Sequence, residues 1–295
     1  MVSPLKQSLK EKSAQIKKIR EFFYDRGVTE VITPALVSSP ITDVHIDSIS
    51  TRVNEGIGKA NTLYLHTSPE IEMKRLLAQG SGDIFQICSA YRDNEHGERN
   101  FNEFSMLEYY RLDFDMHRLM AEVAELVNTL CDSKPVIKMS YNEVFVRYVG
   151  IDILQTDFDT LKAFANSHGL SADFRWIEDL QMLLFVHFVE PKLSQHPICF
   201  IYDFPSQQAA LAQVENSVAH RFELYLDGVE VANGYQELQT TEDYRERFQL
   251  ELKKRQALGK SLMALDEQFL SDLSSPLPFC SGVAIGMGRL LETLA

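Results

Sequence analysis

The chain has 295 residues, 45% hydrophobic and 24% charged, the proportions of a globular protein long enough for one large domain or two small ones. No apolar run reaches membrane-span length, and Met1-Val-Ser-Pro-Leu-Lys6 lacks the apolar core of a signal peptide, so a non-membrane, cytoplasmic protein is the expectation. With 42 acidic against 29 basic residues, the net charge of −13 argues against nucleic acid as a partner, because affinity for a phosphate backbone is built from Lys and Arg contacts.

Ser3-Pro4 opens a first helix, with Leu5, Leu9, Ile16, Ile19 and Phe23 at helical spacing and Gly27 as its stop. Val28 to Thr33 reads as a strand ended by Pro34, and residues 35–60 as polar loop. Leu63 to Thr67 is a strand, and Ser68-Pro69-Glu70 repeats the Ser-Pro helix start. Glu70 in the first turn suits the helix dipole. Two basic clusters, Lys10, Lys12, Lys17, Lys18 and Arg20, and Lys253, Lys254 and Arg255, sit on amphipathic helices and read as solvated faces.

The most informative stretch follows. Asp83 to Arg92 alternates, with Phe85, Ile87 and Tyr91 on one face and Gln86, Cys88, Ala90 and Arg92 on the other. Glu103 to Leu112 places Phe104, Met106, Glu108 and Tyr110 on one face. The long charged loop between these strands is unlike a hairpin built for stability, which favours a short Asn-Gly or Asp-Gly turn. Arg92 can fork onto a phosphate, Phe104 offers a plane for a base, and Glu108 and Tyr110 are polar groups on a face that otherwise reads as buried.

Asp115 then caps a helix whose Met116, Leu119, Met120, Val123, Leu126, Val127 and Leu130 form a packing stripe. Ser140-Tyr-Asn-Glu143 is a capping box. Residues 141–190 read as mostly helical, an insertion decorating a sheet, and His187 within it as a boundary residue. Ile198 to Pro205 is a strand. Arg221 to Leu226 pairs with Val229 to Ala232 through Asp227-Gly228. Thr241 to Leu258 is helical, Gly282 to Gly286 is the last strand, and a short helix ends the chain. The four cysteines, Cys88, Cys131, Cys199 and Cys280, are far apart and read as reduced thiols. The result is an α+β pattern of antiparallel strands flanked by helices, without a βαβ rhythm, a Gly-x-Gly-x-x-Gly turn or a P-loop. ATP, if bound, needs another cradle.

Tyr91-Arg92…Glu103-Phe104-Ser-Met-Leu-Glu108-Tyr-Tyr110 resembles motif 2 of class II aminoacyl-tRNA synthetases in its lysyl form. Gly228-Val-Glu230-Val-Ala-Asn233-Gly234-Tyr-Gln-Glu237 resembles the segment before motif 3, and Ser281-Gly-Val-Ala284-Ile-Gly286-Met-Gly288-Arg289 resembles motif 3. The opening helix–strand–Pro34 unit resembles motif 1, which implies a homodimer. The resemblance implies one class II catalytic domain over 1–295, with the helical insertion at about 141–190 and no anticodon-binding domain.

It also implies site roles. Arg92 would contact the α-phosphate and the substrate carboxylate, and Arg289 the γ-phosphate, with adenine between Phe104 and Arg289. Asn94, Glu95, Val231 and Gly286 would complete the ATP site, and Glu230 and Glu237 would hold Mg²⁺. Ser68, Glu70, Tyr110, Asn233 and Glu237 would hold the amino acid, and carboxylates around an amine point to lysine or a lysine-like substrate. A chain that begins almost at the catalytic domain, with an acidic body, implies an acceptor other than tRNA. Ala284 stands where the lysyl enzymes have Gly, and a methyl there would reshape the pocket against α-lysine. Both features resemble stand-alone paralogues that load lysine or β-lysine onto a lysine side chain of translation elongation factor P. Three departures stand against the pattern: Phe101 replaces an Asn expected at ATP, Asn94 a Glu, and Gly288 an Asp. They leave a non-catalytic paralogue, or a ligase with another acceptor, as alternatives.

Overall fold

The computed structural model describes residues 4–54, 56, 59–95, 97, 100–171, 173–273 and 275–294; the expected Ser3 cap lies outside them. In chain order come α1 (Pro4–Tyr24), β1 (Thr29–Glu30), β2 (Leu36–Val37), β3 (Ser50–Asn54), β4 (Ala60–Leu65), α2 (Glu70–Ala78), β5 (Ile84–Tyr91) and β6 (Glu103–Leu112). Next are α3 (Met116–Leu130), β7 (Val136–Ser140), α4 (Tyr141–Tyr148), α5 (Phe158–Ser167), α6 (Ile177–Leu184), α7 (Glu190–Leu193), β8 (Ile198–Pro205), β9 (Val214–Glu215), β10 (Val218–Leu226) and β11 (Val229–Gln236). The chain ends with α8 (Thr241–Ala257), α9 (Glu267–Asp272), β12 (Cys280–Gly286) and α10 (Met287–Thr293). These elements form two units: one runs to Asp115 and resumes from Glu237 to Thr293, and the other is Met116–Gln236.

In the first unit the strand order is β1-β5-β6-β12, with β5–β6 and β6–β12 antiparallel. The hairpin register pairs Ala90 with Phe104, Cys88 with Met106, Gln86 with Glu108 and Ile84 with Tyr110. On the other side of β6, Tyr110 faces Gly282, Glu108 faces Ala284 and Met106 faces Gly286. Cross-strand partners share a sheet face, so the alternating set from Phe104 to Tyr110 shares its surface with Ala284 and Gly282. The other face is core: Phe23 of α1 stacks on Phe85 at 4.6 Å and lies 4.7 Å from Tyr109. A second, three-stranded sheet, β2-β4-β3, occupies part of the stretch expected to be loop. β2 has only two residues and the five of β3 are mostly polar, so neither shows a hydrophobic period to read. Arg255 on α8, expected on a solvated face, is instead buried against Asp47.

The second unit has the order β11-β10-β8-β7, with β9 added to β10. Its core gathers Tyr141, Phe145, Phe185 and Phe204, with Tyr141 stacked on Phe145 at 4.9 Å and on Phe185 at 5.1 Å. The Ser140–Glu143 capping box forms, with both reciprocal bonds in place. Asp227 and Gly228 take φ of 47° and 83°, the paired left-handed turn that Asp-Gly supplies. A π-helical turn, Phe185–Val189, precedes α7, where Pro191 lacks the N–H that a regular helix would use. The sheets are mixed where the pattern predicts antiparallel strands alone: β1 with β5 and β7 with β8 are parallel, each at one end of its strand order.

Burial pushes Glu251 on α8 up to about 7, partly offset by the hydrogen bond it accepts from Thr42. A carboxyl raised above its unfolded value keeps its proton longer in the folded chain, so its contribution to stability falls as pH rises from about 4.5 to 7. Glu251→Gln is expected to flatten that part of the thermal-stability profile and to raise Tm at pH 7.5 by about 2–4 °C, as read in melts across pH.

Candidate active site

Two groups of side chains lie on the first unit, and a third on the second. The first begins at the end of β5. Arg92 sits over the Phe104 ring, 5.0 Å from its centroid. Its backbone is clamped on both sides by Asn102: the Arg92 N–H donates to the Asn102 carbonyl at 2.9 Å, and the Asn102 amide donates to the Arg92 carbonyl at 2.7 Å. The loop base therefore holds the guanidinium in place although the loop itself is long. Arg92 Nε is buried with no hydrogen-bond partner among the described residues, and a buried donor of that kind is unusual unless something else satisfies it. Asn94 has φ of 59°, a turn conformation that Asn tolerates, and its side chain is exposed; Glu95 is half-buried. Arg289, at the start of α10, donates from Nη2 to Asn100 Oδ1 at 3.0 Å. Motif 3 and the motif 2 loop thus meet at Asn100, while the neighbouring Phe101 is 63% exposed. Gly286 ends β12 opposite Met106.

The second group is a buried charge cluster. Lys74 on α2 has no exposed surface; its Nζ lies 2.6 Å from Glu70 Oε1 and 2.7 Å from Glu237 Oε2. The ammonium also lies 5.2 Å from the centroid of the Tyr244 ring. Glu108 accepts from the Tyr110 hydroxyl at 2.6 Å through Oε1, and its Oε2 is buried with no partner among the described residues. Glu237 also accepts a hydrogen bond from the Gly282 N–H. Burial, reinforced by the charge of Glu70, pushes Glu108 up to about 8, and the Tyr110 bond only partly offsets this. Burial also raises Glu237 to about 7 against the pull of Lys74. Burial works against a charge on Lys74, but Glu237 and Glu70 outweigh it and hold the ammonium well above the usual lysine range. Cys88, on the same sheet face, is raised to about 11 by burial and by Glu108, which leaves it an unreactive thiol.

The structure therefore brings together Glu70, Tyr110 and Glu237, three of the residues that the resemblance assigns to the amino acid, and adds Lys74, Glu108 and Tyr244. Glu108 is legible in the alternation of β6 as a polar group on a buried face. Lys74 is not: one turn after Glu70, it reads as an ordinary surface ion pair. Ser68 is half-buried two residues before α2, but it does not cap the helix; Pro69 is the N-cap and no side chain bonds there.

In the second unit, Asn233 pairs with Glu223 across β10–β11, and Arg221 Nε donates to Asn233 Oδ1 at 3.2 Å. Arg221 also bonds Glu223 and the Gln208 carbonyl, and Tyr225 donates to Glu223 Oε2 at 2.7 Å. The register slips between Leu224 and Tyr225, which face Ala232 and Glu230, so Val231 is the extra residue of a bulge. Bulges re-aim side chains and recur beside binding sites. This one separates Glu230 from the regular alternation.

Among the described residues no group of three or more His, Cys, Asp or Glu is arranged to hold a metal ion. The donor set fits Mg²⁺ only with phosphate oxygens supplied by a nucleotide, since that ion usually takes one or two protein carboxylates in such sites. No described helix is long and apolar enough to cross a membrane.

The chain belongs to the family of class II tRNA synthetases (D, K and N), whose model matches residues 2–295. Within that class it is similar to three relatives called elongation factor P–(R)-β-lysine ligase. The protein of Pectobacterium atrosepticum is 42% identical over 292 residues, covering 96% of this chain and 90% of that protein. The one from Haemophilus ducreyi is 43% identical over 290 residues, covering 97% and 89%, and the one from Salmonella typhi 42% over 291 residues, covering 96% and 90%.

Proposed function

We propose that this chain is an ATP-dependent ligase that adenylates (R)-β-lysine, or lysine, and transfers it to a lysine side chain of translation elongation factor P. The observation that carries the reading is the cluster of Glu70, Glu108, Glu237 and Tyr110, on the unit that also holds the Arg92–Phe104 pair. Lys74 pairs with Glu70 and Glu237, whereas Glu108 Oε2 is buried with no partner among the described residues. A substrate ammonium would supply that partner and favour the ionised form of Glu108. The names of the relatives support the acceptor.

Activation forms a bond between a carboxylate oxygen of the amino acid and the α-phosphorus, and breaks the bond from that phosphorus to the bridging oxygen of pyrophosphate. Arg92 would draw the carboxylate and the α-phosphate together and offset charge as it builds. Phe104 would stack on adenine, Arg289 would take the γ-phosphate, and Asn94, Glu95 and Gly286 would line the nucleotide. Glu70, Ser68, Tyr110 and Glu237 would hold the amino acid. On the second unit, the resemblance assigns Glu230 to Mg²⁺, Val231 to the nucleotide and Asn233 to the amino acid. Bound magnesium would neutralise phosphate charge. In the second step the acceptor lysine nitrogen attacks the acyl carbon and AMP leaves. The full reading has one class II catalytic domain with residues 141–190 as an insertion, a cytoplasmic location, and a homodimer through α1 and its following strand. Ile32, 93% exposed just after that strand, supports the dimer.

The acceptor is tested by incubating the protein with ATP, labelled lysine or (R)-β-lysine, and either elongation factor P or tRNA. Label on elongation factor P is the expected result, and label on tRNA alone would overturn it. Ala284 faces Glu108 across the strand pair, so Ala284→Gly is expected to move kcat/KM toward α-lysine relative to β-lysine by roughly 10- to 100-fold, the effect of about one methyl group.

A further inference from the structure

Lys74 is a charged member of the cluster to which the proposed reaction gives no work. A fully buried ammonium is costly unless paired, and here it is paired twice, with Glu70 Oε1 at 2.6 Å and Glu237 Oε2 at 2.7 Å. Its stem lies on the same helix as Glu70, four residues on, and the Tyr244 ring is 5.2 Å away. These contacts fix both carboxylates from inside the protein. Two further acceptors, Glu108 Oε2 and the Tyr110 oxygen, belong to β6.

We propose that Lys74 is a positioning residue for amino-acid binding: a resident ammonium that holds Glu70 and Glu237 in fixed places, so that the substrate amine meets two aimed carboxyls beside Glu108. The inference rests on the amino-acid activation proposed above. The physical reason is geometric. One buried cation bonded to both side chains fixes their separation and orientation, and without it neither carboxyl keeps a partner on that side. Among the described residues, the other titratable groups facing the cluster are Tyr110 on β6, Cys88 on β5, Cys280 on β12, and Tyr244 and Glu251 on α8.

The test is ATP–pyrophosphate exchange by wild type, Lys74→Met and Lys74→Ala, with the concentration of lysine or (R)-β-lysine varied. In Lys74→Met the amino-acid KM is expected to rise roughly 10- to 100-fold, the loss of about one charged hydrogen bond, with the ATP KM unchanged. In Lys74→Ala, propylammonium, which replaces the deleted atoms, is expected to restore exchange, and propanol is not. A folded Lys74→Met with the wild-type amino-acid KM would overturn the inference. So would equal losses for ATP and amino acid without rescue, the mark of a merely structural role. If Lys74→Met fails to fold, Lys74→Met with Glu70→Gln removes a cation and an anion together; an amino-acid KM equal to that of Glu70→Gln alone would overturn the inference. Wild type inactive with every amino acid would remove the activation reading and this inference with it, whereas active wild type with indifferent Lys74 variants removes this inference alone.

Discussion

Arg92→Ala is expected to lower ATP–pyrophosphate exchange by about 10²–10³, the usual effect of losing one preorganised donor to developing charge. Its thermal stability should stay near wild type. Three observations set the size of that effect. The guanidinium rests on the Phe104 ring, 5.0 Å from its centroid. Its backbone is clamped by two bonds to Asn102. Its Nε is buried without a partner among the described residues. A group so held is spent on something other than folding. Arg92→Lys keeps the charge but loses the plane and the fork, so it is expected to recover little activity. Exchange and melting curves on both variants check this; near-normal exchange in Arg92→Ala would place the α-phosphate contact elsewhere.

Gly282→Ala is expected to be nearly as severe and to act on the amino acid instead of ATP. A methyl at 282 would lie 2.3 Å from Tyr110 Cε1, 2.4 Å from Tyr110 Cδ1 and 2.6 Å from Glu237 Oε1. Tyr110 is only 2% exposed and its hydroxyl is committed to Glu108, so the ring has nowhere to retreat. Overpacking of this kind costs about 1–3 kcal/mol of stability. The amino-acid KM should rise with it, because both walls of the amine cluster are displaced. Calorimetry and exchange kinetics read the two effects separately. A variant with lowered Tm and unchanged amino-acid KM would show that the cluster is not where the amine binds.

Much of the first unit's sheet is legible in the amino-acid pattern. The alternation in 83–92 and 103–112 predicts both strands of the central hairpin, and the register that follows places Glu108 and Tyr110 together on one face. Asp227-Gly228 and the Ser140 box are local signals, and both form. Nonlocal features are not legible. The Val231 bulge depends on how β10 and β11 slide past each other. The strand at 36–37 is too short, and that at 50–54 too polar, to show a period. Lys74 looks like any helix-surface lysine until Glu237, 163 residues later, is folded against it. The short edge pairings that run parallel likewise follow from topology, not from any residue pattern.

The central claim is amino-acid activation on the unit that holds the amine cluster and Arg92. It is tested most directly by ATP–pyrophosphate exchange with (R)-β-lysine and L-α-lysine in parallel. Exchange with these diamino acids, favouring (R)-β-lysine and absent with norleucine, which lacks the side-chain amine, is the predicted result. No exchange with either lysine in a folded protein would contradict the account and would make Phe101, Asn94 and Gly288 the marks of a chain that keeps the class II fold without its chemistry.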